Sequence, residues 1–468
     1  MNNLKLEQFK EKIKGKKVAV IGIGVSNIPA IEYLHSLGAV ITACDKKTKL
    51  GDECLKLYDL GISFNLGEEY LCNLNSFDYI LRSPGIKPFT KEIEEAVRNG
   101  AILTSEIELL ISLSPCKIIG ITGSDGKTTT TTLVSEFLKA AGYTVYLGGN
   151  IGVPLFSKLE EMTEKGILVL ELSSFQLMTM KEKVDIACIT NISPNHLDYH
   201  RSFEEYVIAK ANIFLNQKDG TLVLNEDISF SEQYLNLIKD NNINSGIRKF
   251  SIMNMVEQGV YLDRGYIVSN VNGKYQQIAK TSDVKLVGIH NLANICAAAS
   301  CVIDMTGSEA IKSVVTTFAG VEHRMELFRT INGVKWFNDS IASSPSRTIA
   351  GLNSFKDKII LITGGYDKNI PYDEIGKYII DKVKTLILVG ATAPKIEKSV
   401  LDEKAKQGLD NICEIMYFTT MEECVEYAQK IARSGDNVVL SPASASFDMY
   451  KNFEERGNHF KKLANNIK

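Results

Sequence analysis

One short segment of the chain combines residue types and spacing that suit phosphate chemistry. An apolar run over residues 117–122 leads into a glycine-containing loop, and an amphipathic helical pattern follows. In such an arrangement, backbone amides can hold phosphate oxygens, a lysine adds positive charge, and a threonine hydroxyl can bind Mg²⁺. The residues of this predicted nucleoside triphosphate loop are Gly123, Ser124, Asp125, Gly126, Lys127, Thr128 and Thr129.

The loop is shorter than the usual P-loop, because Ile121 stands at the position of that pattern's first glycine. The alternative is an ordinary strand-to-helix turn with a solvated lysine. That alternative leaves the run from Thr128 to Thr132 unexplained, since threonine is a poor helix former. A phosphate-binding loop is therefore the favoured interpretation.

Polar residues also follow the neighbouring predicted strands. Glu171 follows the strand over 167–170, where a carboxylate can bind Mg²⁺ beside the phosphates; a helix-capping acid is the alternative. His196 and Asp198 follow a third strand, and Asn150 lies on a neighbouring loop. For His196, a metal or phosphate role and a purely structural role both remain open.

Lys210 lies in a predicted helix and has apolar neighbours throughout the segment 206–214. A buried lysine must lose its charge, pair with an anion, or be chemically modified. The residues alone do not distinguish these outcomes, but they disfavour a solvated surface lysine.

Alternating strand and helix patterns around these residues predict an α/β fold of mainly parallel sheets with flanking helices. At 468 residues the chain is too long for one core and is expected to form three domains. We predict a Rossmann-like N-terminal domain over 1–112, a central P-loop ATPase domain over 113–320, and a Rossmann-like C-terminal domain over 321–468.

The N-terminal domain carries a second nucleotide-binding signal. A strand runs into the turn Gly22-Ile23-Gly24, and Asp45 ends the next strand about twenty residues later, where dinucleotide-binding folds place a ribose-binding acid. Asn27 replaces the third glycine of that pattern. A turn at Gly85 would bring backbone close to the same crevice. A nicotinamide-dependent oxidoreductase is an alternative for this domain, which the missing glycine and the central phosphate loop disfavour.

Two further groups of residues suit ligand binding. Asn291 and Asn294 lie on one helix face, where they can form a purine or ribose clamp or serve only in capping and packing. In the C-terminal region, Lys368 can neutralise a substrate carboxylate. The Ser/Ala-rich turn over residues 441–448 offers amides and hydroxyls for another anion, or is only packing.

Composition and charge limit the possible functions. The chain is 44% apolar and 23% charged with a net charge of -3, so it lacks the basic surface expected of a nucleic-acid-binding protein. Its nine cysteines include no Cys-x-x-Cys pair, which favours reduced, core-filling thiols over disulfides or a zinc site. No apolar run approaches the ~18 residues of a membrane span, and the polar N-terminus differs from a signal peptide. We therefore predict a cytoplasmic protein that binds small molecules, without nucleic acid and without membrane insertion.

The whole chain resembles the Mur ligases of bacterial cell-wall synthesis, a superfamily that also contains folylpolyglutamate synthase. The resemblance rests on the three α/β units, the central loop, and the pairs His290-Asn291 and His323-Arg324. Residues 171–177, 195–198 and 441–458 are most similar to the branch that adds D-glutamate. The resemblance implies a monomeric, ATP-dependent ligase that joins D-glutamate to UDP-N-acetylmuramoyl-L-alanine through an acyl phosphate, in peptidoglycan precursor synthesis.

The resemblance also implies roles for individual residues. The UDP part of the sugar nucleotide would contact Val25, Ser26, Asn27, Asp45, Lys46 and Gly85. The implied catalytic residues are Lys127, Asn150, His196 and Lys210, the last as a carbamate. Two Mg²⁺ ions would be held by Thr128, Glu171, His196 and Lys210. Besides the central loop, ATP would contact Asn291, Asn294, Arg324 and Asp339. The incoming D-glutamate would contact Ser343, Lys368, Ser446 and Phe453.

Two positions depart from the family pattern. Ile341 stands where some members carry a lysine near the amino-acid site, so Lys368 and Arg347 are expected to hold the substrate carboxylate. Asn195 replaces an acid often found before the histidine, which leaves its charge contribution at the second metal open. Because three ligands would bind on three domains, we predict a mobile third domain that closes to assemble the site. A regulatory NTPase, which would hydrolyse ATP without an amino acid, is the other alternative class.

Overall fold

The structure is a computed structural model of the 468-residue chain. It describes residues 3–24, 27–51, 54–193, 199–217, 219–241, 243, 245–286, 288–367 and 371–467. The chain divides into two compact units, Met1–Thr317 and Phe318–Lys468. Two mainly parallel sheets lie in the first unit and a third lies in the second, so the prediction of a three-domain α/β fold is confirmed. The predicted domain limits stay predictions.

The first sheet is formed by the N-terminal part of the chain. Its strands are β1 (Lys17–Ile21), β2 (Val40–Asp45), β3 (Ser63–Leu66), β4 (Tyr79–Arg82) and β5 (Ile102–Thr104), and its helices are α1 (Leu4–Ile13), α2 (Asn27–Ser36), α3 (Leu55–Asp59), α4 (Lys91–Arg98) and α5 (Glu106–Leu113). All strands are parallel, in the order β3-β2-β1-β4-β5. The strand order reverses between β1 and β4, which is where open α/β sheets bind ligands.

Both faces of this first sheet are covered. Val18 and Val20 of β1 pack into one apolar cluster, and Ala19 and Ile21 pack into another. Because successive strand residues point to opposite faces, a near-continuous apolar strand is what a doubly covered parallel sheet requires.

The central sheet carries the predicted phosphate loop. Its strands are β6 (Lys117–Thr122), β7 (Val145–Gly149), β8 (Ile167–Glu171), β9 (Ile186–Ile189), β10 (Thr221–Asn225), β11 (Gly246–Ser251), β12 (Gly259–Asp263), β13 (Tyr266–Val271) and β14 (Lys274–Lys280). Its helices are α6 (Lys127–Ala140), α7 (Ser174–Leu177), α8 (Phe203–Leu215), α9 (Phe230–Asp240) and α10 (Ile289–Val315). The order is β14-β13-β12-β11-β10-β9-β6-β8-β7, so β6 lies between β8 and β9 and its loop opens at the centre of the sheet's parallel part.

The far edge of the central sheet turns antiparallel. Strands β12, β13 and β14 form a meander, and Asn272 and Gly273 make the β13–β14 turn with φ angles of 54° and 72°. Two positive φ angles at an Asn-Gly pair are typical of the two-residue hairpin turn whose twist matches the strands. Strands β13 and β14 therefore form a tight hairpin.

The second unit is built on one six-stranded sheet. Its strands are β15 (Glu326–Ile331), β16 (Val334–Asn338), β17 (Ile359–Thr363), β18 (Val383–Val389), β19 (Glu414–Phe418) and β20 (Asn437–Leu440), and its helices are α11 (Pro345–Leu352), α12 (Ile375–Lys382), α13 (Ala393–Gln407), α14 (Met421–Ile431) and α15 (Phe453–Asn465). The order is β15-β16-β20-β17-β18-β19, and only β15 pairs antiparallel to its neighbour. The ends of β16, β17 and β20 therefore lie side by side.

Among the described residues, no helix combines the length and apolar character that crossing a membrane requires.

The two sheets of the first unit share one apolar core. Ile31 and Ile107, next to the first sheet, belong to the same cluster as Phe156 and Leu168 of the central part. Helix α5 lies at this junction and begins with Glu106, which is 8% exposed. Burial raises the pKa of the Glu106 carboxyl to about 7, against the opposing effect of a hydrogen bond from the Phe156 amide. The junction therefore holds a carboxyl group that is about half protonated near pH 7, where an ordinary glutamate is ionised.

The Glu106→Gln variant should gain stability relative to the native chain as pH rises. The folded-state pKa is raised above the ordinary value of 4.5, so the folded chain holds a proton that the unfolded chain lacks between pH 4.5 and about 7. Raising pH through this window destabilises the native protein, by up to about 3 kcal/mol, whereas glutamine does not titrate. The measurement is the difference in melting temperature between variant and native chain at pH 5 and at pH 8.5.

We expect that difference to be several degrees more favourable to the variant at pH 8.5. Glu94→Gln on the exposed face of α4 is the matched control, because this carboxylate is in solvent. An equal difference at both pH values would contradict the assigned role of Glu106.

Candidate active site

The predicted phosphate loop is fixed by the segment that follows β9. Gly123 has a φ of +151°, and a Cβ there would lie 1.9 Å from Thr190 Oγ1, so only glycine fits. The Thr190 hydroxyl donates to the carbonyl oxygens of Thr122 and Asp125 at 3.2 and 2.6 Å. Asn191 Oδ1 accepts from the Asp125 amide at 2.7 Å. These bonds hold the loop in one shape from its inner side.

The start of α10 packs against the other side of the loop. Gly126 has a φ of +76°, and a Cβ there would lie 2.2 Å from Asn294 Oδ1. Asn294 Nδ2 donates to Asn291 Oδ1 at 3.1 Å, and Thr130 Oγ1 donates to Asn294 Oδ1 at 3.5 Å. The structure therefore brings the predicted Asn291 and Asn294 pair next to the predicted phosphate loop.

Side-chain hydrogen bonds account for the threonine run of α6. The hydroxyls of Thr131 and Thr132 donate at 2.8 Å to the carbonyl oxygens of Lys127 and Thr128, one helical turn earlier. Helix α6 begins at Lys127, directly after Gly126. Lys127 and Thr128 thus occupy a helix N-terminus, where free amides and the helix dipole favour an anion.

Lys127 folds back over the loop that precedes it. Its Nζ donates to the carbonyl oxygens of Gly123 and Ser124 at 2.9 and 2.8 Å. The ammonium group is therefore held within the loop rather than projecting into solvent, which disfavours the alternative of a solvated lysine.

A carboxylate lies beside the loop, at the end of β8. Glu171 pairs with Ile121 across the β6–β8 ladder and is 2% exposed. Its Oε1 accepts from Asn150 Nδ2 at 2.8 Å, and its carbonyl oxygen accepts from the Asn150 amide at 2.8 Å. Its Oε2 is buried and has no hydrogen-bond partner within the described part of the chain. Because a buried carboxylate oxygen without a partner is costly, this atom is suited to a hard cation.

The chemistry of these donors fits Mg²⁺ rather than a softer metal. Glu171 supplies an oxygen, and Thr128 offers a hydroxyl at the start of α6. Over the described ranges, no three His, Cys, Asp or Glu side chains come together as a metal cluster. A magnesium ion here would take its other ligands from phosphate and water, as Mg²⁺ commonly does.

Lys210 lies on α8 against the same loop and is 1% exposed. Its Nζ donates to Gly123 O at 2.8 Å and to Thr122 Oγ1 at 3.3 Å, and it lies 4.7 Å from the centre of the Tyr206 ring. Burial lowers the pKa of the Lys210 amine well below its ordinary value, and the nearby Lys127 charge lowers it further. Of the outcomes open to a buried lysine, the structure favours a neutral amine.

Several predicted site residues lie outside the described residues: Val25, Ser26, Asn195, His196 and Lys368. The structure therefore brings Lys127, Thr128, Asn150, Glu171 and Lys210 together around one loop, and the position of His196 relative to them stays a prediction.

In the first sheet, the predicted UDP residues surround the turn after β1. Asp45 Oδ2 accepts from the Ile23 amide at 2.8 Å, and its Oδ1 accepts from the Lys47 amide at 2.9 Å. Asn27 is buried, and its Nδ2 donates to Gly22 O at 2.8 Å. These two side chains stabilise the turn itself, a role that the sequence pattern of a ribose-binding acid does not indicate.

The other two predicted UDP residues are more exposed. Lys46 lies 3.4 Å from Glu68 in a solvent-exposed ion pair, and Gly85 lies exposed in the turn after β4. The turn after β4 is held by Arg82, which is 1% exposed. The sequence pattern predicts no role for Arg82. An arginine at the end of an otherwise apolar strand is nevertheless a sequence feature that indicates a specific contact.

In the second unit, Asp339 lies directly after β16 and is 4% exposed. Its Oδ2 accepts from Ser441 Oγ at 2.7 Å, and its Oδ1 accepts from the Met325 amide at 3.1 Å. Burial raises the pKa of the Asp339 carboxyl to about 6, while Ser441, Met325 and the nearby Arg324 charge oppose the rise. Asp339 and Arg324, both predicted to contact ATP, are therefore near each other.

The Ser/Ala-rich turn after β20 is mostly hydrogen-bonded within the protein. Besides donating to Asp339, Ser441 Oγ lies 2.9 Å from Thr348 Oγ1. Ser444 Oγ lies 2.8 Å from the Tyr372 hydroxyl and 2.7 Å from Thr392 Oγ1. The hydroxyls of these two serines have internal partners, which agrees with the packing alternative, and anion binding by the turn stays a prediction.

Arg456 fixes the end of this turn next to the predicted D-glutamate residue Ser446. It is 2% exposed; its Nη1 donates to Ala445 O at 2.9 Å, and its Nη2 and Nε contact Ser340 O and Oγ at 2.9 and 3.0 Å. Arg456 lies in the segment 441–458 that carries the family resemblance, but the sequence pattern predicts no role for it. The Ser340 hydroxyl in turn donates to Phe453 O at 2.8 Å, so Arg456 connects Ala445, the residue before Ser446, to Phe453 through Ser340.

The remaining predicted residues of the second unit lie along the same sheet end. The Ser343 amide donates to Ile341 O at 2.8 Å, and Arg347 Nη1 donates to the same oxygen at 3.2 Å. The Phe453 ring packs edge-on against His323 with ring centres 5.9 Å apart. Ile341 and Arg347 are therefore in contact, and compensation for a missing lysine by Arg347 stays a prediction.

Comparison with protein families gives three consecutive matches. Residues 16–105 match the N-terminal domain of MurD-like Mur ligases, residues 121–302 the Mur ligase middle domain, and residues 323–444 the glutamate ligase domain of Mur ligases.

Full-length relatives give the same assignment. The chain is 52% identical over 468 residues to the UDP-N-acetylmuramoylalanine--D-glutamate ligase of Acetivibrio thermocellus, with 99% of each chain covered. It is 49% identical over 471 residues to the ligase of the same name from Ruminiclostridium cellulolyticum, with 100% of each chain covered.

Solved structures are similar in fold at low sequence identity. The UDP-N-acetylmuramate-alanine ligase of Thermotoga maritima aligns with a TM-score of 0.56 at 16% identity, covering 97% of this chain and 100% of that one. The MurF ligase of the same organism, solved with ADP, aligns with a TM-score of 0.52 at 19% identity, covering 97% and 95%. With the fold, the loop and the full-length relatives in agreement, the chain belongs to the Mur ligase family.

Proposed function

We propose that this chain catalyses the ATP-dependent addition of D-glutamate to UDP-N-acetylmuramoyl-L-alanine, forming ADP and phosphate, in peptidoglycan precursor synthesis. The observation that carries the proposal is the identity of about half of all residues, over the full chain, with ligases of that name. The arrangement of Lys127 and of the buried Glu171 and Lys210 around one glycine loop supports it, because phosphoryl transfer needs positioned charge above all.

ATP is the proposed ligand of residues 123–129, with Asn291, Asn294, Arg324 and Asp339 as further contacts. The helix N-terminus at Lys127 and the amide pair beside Gly126 support the phosphate and nucleoside parts of this assignment. Thr128 and Glu171 would hold one Mg²⁺, and the partnerless Glu171 Oε2 is the atom that supports this. When bound, Mg²⁺ neutralises charge on the transferring phosphoryl group.

Lys210 is the proposed site of carbamylation by CO₂, and with His196 it would belong to a second Mg²⁺ site. In this reaction a neutral amine forms an N–C bond with CO₂, and a proton leaves to solvent. The burial of Lys210 and the lowered pKa of its amine support the step, because the neutral amine is the nucleophile.

The substrate assignments are also proposals. The UDP-sugar would bind at the end of the first sheet, around Val25, Ser26, Asn27, Asp45, Lys46 and Gly85. D-Glutamate would bind at the sheet end of the second unit, around Ser343, Lys368, Ser446 and Phe453. A monomeric state and a cytoplasmic location stay predictions. The proposed substrates agree with a cytoplasmic location, since ATP and UDP-sugars are cytoplasmic metabolites.

In the proposed reaction, the L-alanyl carboxylate attacks the γ-phosphorus of ATP, and ADP leaves. The amine of D-glutamate then attacks the carbonyl carbon of the resulting acyl phosphate, and phosphate leaves from a tetrahedral intermediate. Lys127 neutralises charge on the phosphoryl oxygens from within the loop, where it is held without reorganisation. Asn150 orients Glu171 through its side-chain amide.

Phosphate release by the purified chain tests this function. With ATP, Mg²⁺ and UDP-N-acetylmuramoyl-L-alanine present, we expect release only when D-glutamate is added, because the amine completes the turnover. Parallel reactions with L-glutamate, L-lysine, L-alanine and no amino acid serve as controls. Release that is indifferent to the amino acid would favour a regulatory NTPase, and hydride transfer with NAD(H) would favour an oxidoreductase.

A further inference from the structure

Arg82 ends β4 and hydrogen-bonds the turn that follows it. Its Nη1 is within hydrogen-bond distance of the carbonyl oxygens of Ser83, Pro84 and Ile86, at 3.2, 3.3 and 2.6 Å. This turn contains Gly85, one of the proposed UDP-sugar contacts. The side chain is 1% exposed, so these contacts are shielded from solvent.

The other side of the same guanidinium reaches the central sheet. Arg82 Nη2 donates to Phe175 O at 3.0 Å and lies 3.4 Å from Thr179 Oγ1. Phe175 belongs to α7, which begins three residues after Glu171. One planar side chain therefore joins the turn that follows β4 to the segment that follows the proposed magnesium ligand.

Tyr199 makes a second connection in parallel. Its hydroxyl lies 3.0 Å from both Pro84 O and Ile86 O, and its ring lies 4.2 Å from the Phe175 ring, centre to centre. Arg82 and Tyr199 thus hold the same carbonyl groups of the turn from two directions. Both contacts lie within the first compact unit.

A structural role alone does not explain an arginine at this position. The hydrogen-bond acceptors around Arg82 are neutral oxygens, and burial lowers the pKa of its guanidinium, while the nearby Tyr199 and Glu108 oppose the shift. An apolar residue would fill a buried strand end at lower cost. Arginine adds a planar guanidinium group whose several N–H donors can hydrogen-bond two segments at once.

The surroundings of Arg82 connect it to a second proposed UDP-sugar contact. A cavity of about 20 Å³ is lined by Arg82, Asn27 and Gln176, among other residues. This volume accommodates about one water molecule. Arg82 Nε is buried and has no protein partner within the described residues, and a water in this cavity would be next to both Arg82 and Asn27, which line it.

We propose that Arg82 is a positioning residue for the nucleotide sugar: it presets the Ser83–Ile86 turn for UDP binding and ties that turn to the segment following Glu171. The inference rests on the proposed function, since it uses the assignment of the turn to the UDP-sugar. Its consequence is that loss of Arg82 weakens binding of the UDP-sugar selectively and leaves binding of ATP in place.

The experiment measures the KM for UDP-N-acetylmuramoyl-L-alanine and the KM for ATP separately, and the Kd for the UDP-sugar by calorimetry without ATP. Arg82→Met removes both connections, and Arg82→Lys keeps the charge but loses the two-sided fork. Tyr199→Phe removes only the hydroxyl contacts to Pro84 and Ile86. Arg98→Met on the exposed end of α4 is the matched control.

For both Arg82 variants we expect the KM and Kd of the UDP-sugar to rise at least about tenfold, which corresponds to ~1.4 kcal/mol, while the KM for ATP changes less than about twofold. Tyr199→Phe should shift the same constants in the same direction by less, and it carries the test if Arg82→Met fails to fold. Equal shifts for both substrates, or a loss of kcat at unchanged KM, would overturn the inference. If the native chain itself does not bind the UDP-sugar, the proposed function fails first, and the assignment of the turn fails with it.

Discussion

The Lys127→Ala variant should lose about 10²–10³-fold of the phosphate-release rate, the magnitude found when one preorganised donor to a developing negative charge is removed. Lys127 Nζ is held by the carbonyl oxygens of Gly123 and Ser124, so the positive charge is already in place when a phosphate enters the loop. Water cannot replace such a charge without reorganising. The measurement is kcat/KM for ATP at saturating UDP-sugar and D-glutamate.

Lys139→Ala is the matched control for this experiment. Lys139 lies in the last turn of the same helix and pairs with Glu136 at the surface, so its loss should leave the rate unchanged. A Lys127→Ala enzyme that melts at a lower temperature but keeps its kcat/KM would show that Lys127 only braces the loop.

The Lys210→Met variant should lose at least about 10²-fold in rate and, unlike the native enzyme, should not respond to bicarbonate. The native rate should fall in CO₂-depleted buffer and recover when bicarbonate is added, because a carbamate would supply the anion that this buried position otherwise lacks. Methionine fills a similar volume but cannot react with CO₂.

The carbamate can also be observed directly. With ¹³C-labelled bicarbonate, the native chain should show a carbamate carbon resonance that is absent in Lys210→Met. Because burial lowers the pKa of the Lys210 amine, this signal should persist at neutral pH, where an ordinary lysine side chain is protonated and cannot react with CO₂. Bicarbonate-independent native activity together with no carbamate signal would contradict the proposal.

The sequence predicts a strand correctly where both faces of that strand are buried. The run 167–170 was predicted as a strand, and Ile167–Glu171 is fully buried in the structure. By contrast, the sequence pattern predicts no strand at Ser63–Leu66, Gly246–Ser251 or Glu326–Ile331. These strands have polar or partly exposed residues, so no continuous apolar pattern marks them, even where the partner strand follows directly in the chain, as Val334–Asn338 follows Glu326–Ile331.

The candidate active site likewise combines features that a local sequence pattern marks with features that depend on residues distant in the chain. A glycine loop between a buried strand and a helix is a local arrangement, so the sequence sufficed to identify residues 123–129. The hydrogen-bond partners of Glu171, Asp45 and Ser441 are distant from them in the chain. Asp45 holds the Ile23 turn and Ser441 binds Asp339, and both contacts depend on which strands lie side by side.

The sequence by itself determined the α/β class, the glycine loop between β6 and α6 and the burial of Lys210, because each depends on the order of apolar and small residues along a short stretch. Only the tertiary structure decided that Asn294 packs on Gly126, that Asn150 orients Glu171, and that Arg82 joins the turn after β4 to helix α7. These contacts form because parallel strands bring their carboxyl ends to one edge of a sheet. Which side chains meet there depends on strand order, and strand order is set by packing over the whole chain rather than by any local sequence pattern.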